Sequence, residues 1–279
     1  MKQKASRLPF IEEILENVRH TYRVRFFWRT EPLTHEEKQE IFKKAENPYD
    51  TNGYSKVLLQ GLKNGSTQVT KHVCFQGSII LGSVLYVKPR ASSYEPDWDI
   101  WGHCFSLVSP HKKVHVVYYS NPQPRLSPDV KKSVGPEHIN GGLTMQCNAQ
   151  EIVIYRREED TRVLIHELLH ASCSDPYDAG VTTIEANTEA WAEIIYCAIM
   201  AKGVPSLFDT YFQKQLIHAM KQIQSLETFH HVKSPQDYAW RYYNGKREVW
   251  RSLGIVLPQI SPLRSPIKSL RMTFQDMKE

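Results

Sequence analysis

The spacing of apolar residues along the 279-residue chain changes period several times, and each change marks an element. From Pro9 to Arg19 they fall at Ile11, Ile14, Leu15 and Val18, the spacing of an amphipathic helix with proline near its first turn. Tyr22 to Thr30 alternates instead, with Tyr22, Val24, Phe26 and Trp28 against Arg23 and Arg25, which predicts a strand. Thr34 and Glu37 form a capping box that opens a helix to about Ala45, and Asn47 to Gly53 is turn chemistry. Between Gln68 and Ser120 β-branched and aromatic residues dominate. Strands are expected from Val73 to Leu81, Val84 to Val87, His103 to Val108 and Val114 to Tyr119, together a small, mainly antiparallel sheet.

Pro122, Pro124, Pro128 and Pro136 make Ser120 to Pro136 a surface connection, after which Ile152 to Tyr155 is a last short strand. The period then becomes helical. Helices are predicted over Glu158 to Cys173, Thr183 to Lys202, Ser206 to Leu226 and Pro235 to Ser252, the second ended by Gly203 and Pro205. After Gly254, prolines at 258, 262 and 266 among serines and basic residues predict an extended tail.

Composition narrows the class. Hydrophobic residues at 41% and aromatics at 11% exclude a disordered chain and predict a folded, soluble protein. The net charge of +5 is spread rather than gathered, so it is weak evidence for a polyanionic partner. Its densest part, Arg241, Lys246, Arg247 and Arg251 interleaved with Trp240, Tyr242, Tyr243 and Trp250, reads either as a nucleic-acid contact or as the solvated face of an amphipathic helix. Five widely spaced cysteines without a CxxC pair predict free, buried thiols and a reducing, intracellular (cytoplasmic) compartment. Glu12, Glu13 and Glu16 stand where a signal peptide would be apolar, and the longest apolar-rich stretch, about Gly77 to Val87, is too short to span a membrane.

The chemistry concentrates in His166-Glu167-Leu-Leu-His170, an HExxH segment inside an apolar helical pattern. Histidines at i and i+4 share one helix face, so both imidazoles can reach one Zn²⁺, with Glu167 beside them to take a proton from metal-bound water. Given 12 His and 30 acidic residues, about 0.05 such matches would arise by accident. Two hydrogen-bonded core histidines are the alternative. A catalytic zinc takes three protein ligands, and the next helix offers Glu185, Glu189 and Glu193 at successive i+4 positions, a like-charge stripe that needs compensation. Glu189 is expected as the third ligand. Glu185 or Glu193 would then accept from the far nitrogen of His166 or His170.

His166-Glu167-Leu-Leu-His170 followed by Glu189, with 18 residues between His170 and Glu189, resembles the gluzincin group of zinc metallopeptidases. The stretches Ile139-Asn-Gly-Gly-Leu-Thr, Glu151 to Glu159 and Glu185 to Ala192 are also similar to metallopeptidase-like proteins of large DNA viruses. Many gluzincins have Asn before the ligand Glu where this chain has Thr188, which keeps Glu185 open as third ligand. The resemblance implies an α+β zincin-like fold, a mixed or antiparallel sheet packed on the HExxH helix and a helical C-terminal half. It implies one Zn²⁺ per chain, a peptide or protein substrate, and Glu167 as general base. Tyr177 and His218 are candidate oxyanion donors, and Asn140-Gly-Gly-Leu a candidate edge strand for substrate. The expected organisation is an N-terminal helical and β region over 1–120, a catalytic region over 121–253 and a tail over 254–279. Two further readings remain open: a metal-stabilised, non-catalytic structural or virion-associated protein, and a nucleic-acid-binding protein using Trp240 to Arg251.

Overall fold

The computed structural model describes residues 8–109, 112–176 and 178–274. The N-terminal part runs α1 (Pro9–Thr21), β1 (Phe26–Glu31), α2 (His35–Ala45), α3 (Tyr54–Lys63), β2 (Thr67–Gln76), β3 (Ile79–Pro89), α4 (Trp98–Val108) and β4 (Val114–Tyr119). A proline-rich connection with one short helix, α5 (Pro136–Ile139), leads to β5 (Gly142–Leu143) and β6 (Ile152–Ile154). The helical half follows as α6 (Asp160–Ala171), α7 (Val181–Met200) and α8 (Pro205–Phe229). A 3-10 turn at Tyr238–Trp240 and a π-helical turn at Arg241–Gly245 then enter α9 (Lys246–Ser252).

The molecule is α+β, built on one mixed sheet of order β1-β2-β3-β4-β6-β5. β1, β2 and β3 are antiparallel, whereas β3 with β4 and β4 with β6 are parallel. The mainly antiparallel expectation fails at one element. Residues 103–108, expected as a strand, belong to α4, and a helix between β3 and β4 supplies the crossover that parallel strands need. Asp97 starts α4 by accepting from the Ile100 amide at 3.1 Å, but residues 101–105 are all buried, so no amphipathic period betrays the helix. β1 begins four residues later than expected, since Tyr22 to Arg25 turns out of α1, and α3 had no sequence counterpart.

Both sheet faces are covered. Val84, Tyr86, Val116, Tyr118, Ile152 and Ile154 pack towards α1, α4, α6 and α7, and Leu85, Val87, Val117, Tyr119 and Val153 pack towards α2 and α3. That explains the unbroken apolar runs in β3 and β4, because a strand buried on both faces has no polar side to alternate with. The sheet crosses the expected boundary at 120, with β4 from one side paired to β6 from the other. A third cluster joins the end of α8 and the π turn to Leu270 and Met272, which docks the extended C-terminal segment onto the helical half.

Cys147 and Cys173 are disulfide-bonded with Cα atoms 4.5 Å apart, contrary to the expectation of free thiols throughout. The turn after β5 and the end of α6 bring them together, the Cys147 amide donating to the His170 carbonyl at 2.9 Å. Cys74, Cys104 and Cys197 are free and buried. Among the described residues no helix is long and apolar enough to cross a membrane.

Candidate metal centre and cleft

Every residue of α6 is buried, so His166, Glu167 and His170 are held in a dry wall formed with β6, α4 and α7. One helical turn separates the two histidines, and their Nε2 atoms face each other at 3.0 Å. Glu185, near the start of α7, completes the group: its Oε2 lies 3.3 Å from His166 Nε2 and 3.9 Å from His170 Nε2. Among the described residues these three form the cluster able to hold a metal ion. A point equidistant from the three atoms lies about 2 Å from each, which matches the roughly 2.0–2.2 Å that zinc takes to imidazole and carboxylate. Glu185 Oε2 is buried and receives no hydrogen bond, an open acceptor that a cation would satisfy.

Glu189 does not stand in this group. Its Oε1 lies 3.1 Å from His166 Nδ1, behind the imidazole and off the line of a hydrogen bond, and its other oxygen pairs with Arg162. Asp175 is the equivalent for His170, with Oδ2 2.7 Å from Nδ1 and Oδ1 accepting from Thr188 at 3.0 Å. Carboxylates on the far nitrogen fix imidazole orientation and tautomer. Glu193 lies deeper still, paired with the buried Lys246 and accepting from Gln215 at 2.8 Å.

The order of contacts explains the shift of roles by one turn. As α6 advances from Arg162 to His166 to His170, partners on α7 retreat from Glu193 and Glu189 to Glu185. The helices are therefore antiparallel, and Arg162 claims the two glutamates nearest it. An i+4 ladder is the same from every rung, so spacing alone could not say which glutamate meets the two Nε2 atoms.

The cluster opens on a cavity of about 530 Å³ whose lining includes Gly141, Gly142, Glu167, Tyr238, Arg241 and Tyr242. β5 is the last strand of the sheet, with β6 on one edge and the cavity beside it. Gly142 packs so closely on α6 that a Cβ there would sit 2.7 Å from Glu167 Oε1. Tyr238 donates to Asn140 Oδ1 at 2.5 Å and its hydroxyl lies 3.2 Å from that of Tyr242.

Burial sets the protonation of the site. It pushes the Glu167 carboxyl up to about 8, near neutrality, where a group can take and return a proton. Burial likewise lowers His166 to about 4. For His170 burial acts in the same direction, but the adjacent carboxylates of Asp175 and Glu185 outweigh it and raise the ring to about 10. Burial would raise Glu185, yet the two histidines hold it well below the usual carboxylate range.

Of the expected oxyanion donors, Tyr177 lies outside the described residues. His218 is on α8, its Nε2 2.9 Å from the Arg271 carbonyl, and it does not line the cavity. Among the residues that do, Arg241 and Tyr242 belong to the basic aromatic segment, and Tyr238 lies just before it in the helix expected over Pro235 to Ser252. The same segment does not form a stacking platform, since Tyr243, Lys246 and Trp250 are buried and Arg247 and Arg251 pair with Glu248. Comparison with protein-family models, with curated proteins and with solved structures returns no match to this chain.

Proposed function

We propose that the chain is a zinc-dependent hydrolase of peptide bonds. The observation that carries the reading is the convergence of His166 Nε2, His170 Nε2 and Glu185 Oε2 at the wall of a cavity, with Glu167 on the same helix beside them. Two imidazoles and one carboxylate are a donor set that suits zinc and leaves a coordination position open. Zinc, when bound, supplies Lewis-acid polarisation of a carbonyl and a water acidified towards neutral pH.

The protein's own groups do the rest. Asp175 holds the His170 imidazole in orientation from behind, and Glu189 places a carboxylate behind the His166 ring. Glu167 accepts the proton of the attacking water on its carboxylate and passes it to the leaving amine nitrogen. β5, paired with β6 on one side and last in the sheet, offers its other edge to an extended substrate backbone beside the cluster. Burial, then the charge of Glu185, pushes the Tyr242 hydroxyl well above its ordinary value, so it stays protonated and, lining the cavity, serves as donor to a developing oxyanion, the role expected of Tyr177 or His218.

Elemental analysis of zinc-reconstituted protein tests the reading, alongside mass-spectrometric digestion of a mixed peptide pool. One zinc per chain is expected, lost in His166→Ala and Glu185→Ala, with cleavage abolished but zinc kept in Glu167→Gln. Absence of zinc after reconstitution, or full cleavage by Glu167→Gln, would refute it.

A further inference from the structure

Three arginines line the cavity beside the metal cluster, and two already have counter-charges. Arg125 pairs with Glu159 at 3.0 Å and donates to the carbonyls of Ile139 and Glu158. Arg162 pairs with Glu189 and lies 3.7 Å from Glu193. Arg241 has no carboxylate partner among the described residues. Its guanidinium lies over the ring of Tyr238, 4.9 Å from the centroid, and its Nε is buried without a hydrogen bond. It opens the π-helical turn that packs on α7, and such turns recur at functional sites.

A guanidinium partly withdrawn from water with no counter-charge is an unfavourable arrangement that an anion would relieve. Its planar fork matches a carboxylate with two parallel hydrogen bonds, and stacking on Tyr238, itself anchored to Asn140, fixes the plane of that fork. Arg125 and Arg162 are already committed to Glu159 and Glu189, which leaves Arg241 as the cavity arginine on which a substrate's negative charge can settle.

We propose that Arg241 determines specificity by receiving a carboxylate of the substrate, from an acidic side chain or from a free C-terminus. The inference rests on the peptide-hydrolase reading and adds the substrate class to it.

The test is binding rather than turnover, on zinc-reconstituted Glu167→Gln protein. The probes are three dansyl-labelled hexapeptide pools of the same neutral random composition: one with an amidated C-terminus, one with a free C-terminal carboxylate, and one amidated with a single glutamate. Fluorescence anisotropy is expected to show one or both carboxylate pools binding about tenfold or more tightly than the neutral pool. Whichever pool gains identifies the source of the carboxylate. Adding Arg241→Gln is expected to bring all pools within about twofold of each other, and Arg241→Lys, which keeps the charge without the fork, to leave a reduced preference. Equal binding of charged and neutral pools, or a preference that survives Arg241→Gln, overturns the assignment and leaves the hydrolase reading standing. Failure of every pool to bind overturns both.

Discussion

At the residue scale the site depends on two side chains that point the same way and on one that is missing. His166 and His170 share a helix face by virtue of their spacing, and that needs nothing but the helix. Glycine 142 matters for the opposite reason. A Cβ there would meet Glu167 Oε1 at 2.7 Å, Val163 Cγ1 at 2.8 Å and the Val153 carbonyl at 3.0 Å, so neither the helix nor the strand can yield without moving the base. Gly142→Ala is expected to lower cleavage of a peptide pool on the order of 10²-fold while zinc stays stoichiometric, because small displacements of a catalytic group have effects of that size. Gly180, where an added Cβ meets nothing within 4 Å, provides the control. Unchanged cleavage in Gly142→Ala would mean that Glu167 is not held where the base must be.

At the scale of elements, α7 carries three glutamates on one stripe, and the structure gives each a different opposite charge or proton. Glu185 meets the imidazole pair, Glu189 stands between His166 and Arg162, and Glu193 is closed off by Lys246 and Gln215. Burial lowers the Lys246 ammonium below its ordinary value, while the adjacent Glu193 favours its charged form. Removing one partner of a buried pair leaves the other charge without compensation. Lys246→Ala should therefore cost about 3 kcal/mol in urea unfolding, and Lys246→Met with Glu193→Leu should recover most of it. A single-variant loss below about 0.5 kcal/mol would show that Arg162 and Gln215 suffice for Glu193. The stripe was visible in sequence as a puzzle of like charges. Its solution needed the register of α6 against α7, which no i+4 pattern contains.

Across the whole molecule, Glu159 ties the C-terminal segment to the start of α6. Its carboxylate accepts from the Met272 amide at 3.0 Å and from Thr273, and pairs with Arg125. Burial alone would raise this carboxyl, but Arg125, Arg271, Arg162 and the Thr273 hydrogen bond outweigh it and hold it down at about 2. A carboxyl depressed in the folded state contributes stability above its ordinary value of 4.5 and loses it as pH falls towards 2. The loss from this one group should be on the order of 3 kcal/mol. Urea midpoints followed from pH 5 to pH 2 should fall less steeply in Glu159→Gln than in the wild type. Parallel curves would mean that the carboxyl titrates alike in the folded and unfolded chains.

Local pattern determined a good deal of this protein: α1, α2, β4, β6 and the helices from α6 to α8 follow from periodicity and caps, and the pairing of His166 with His170 follows from helical geometry alone. The misjudgement that changed the topology lies in a helix buried through residues 101–105. α4 lacks a polar face and read as a strand, and that one error turned a parallel crossover into an antiparallel expectation. Contacts distant along the chain were decided only by the tertiary structure. The Cys147–Cys173 bond joins residues 26 apart across a strand and a helix. Asp175 reaches His170 through a loop, Glu185 rather than Glu189 faces the two Nε2 atoms, and Tyr238, Arg241 and Tyr242 enter the cleft from a turn more than 70 residues after the HExxH helix begins. Periodicity records which face of an element is buried, whereas the identity of what lies opposite depends on how elements pack, and the cleft is made of what lies opposite.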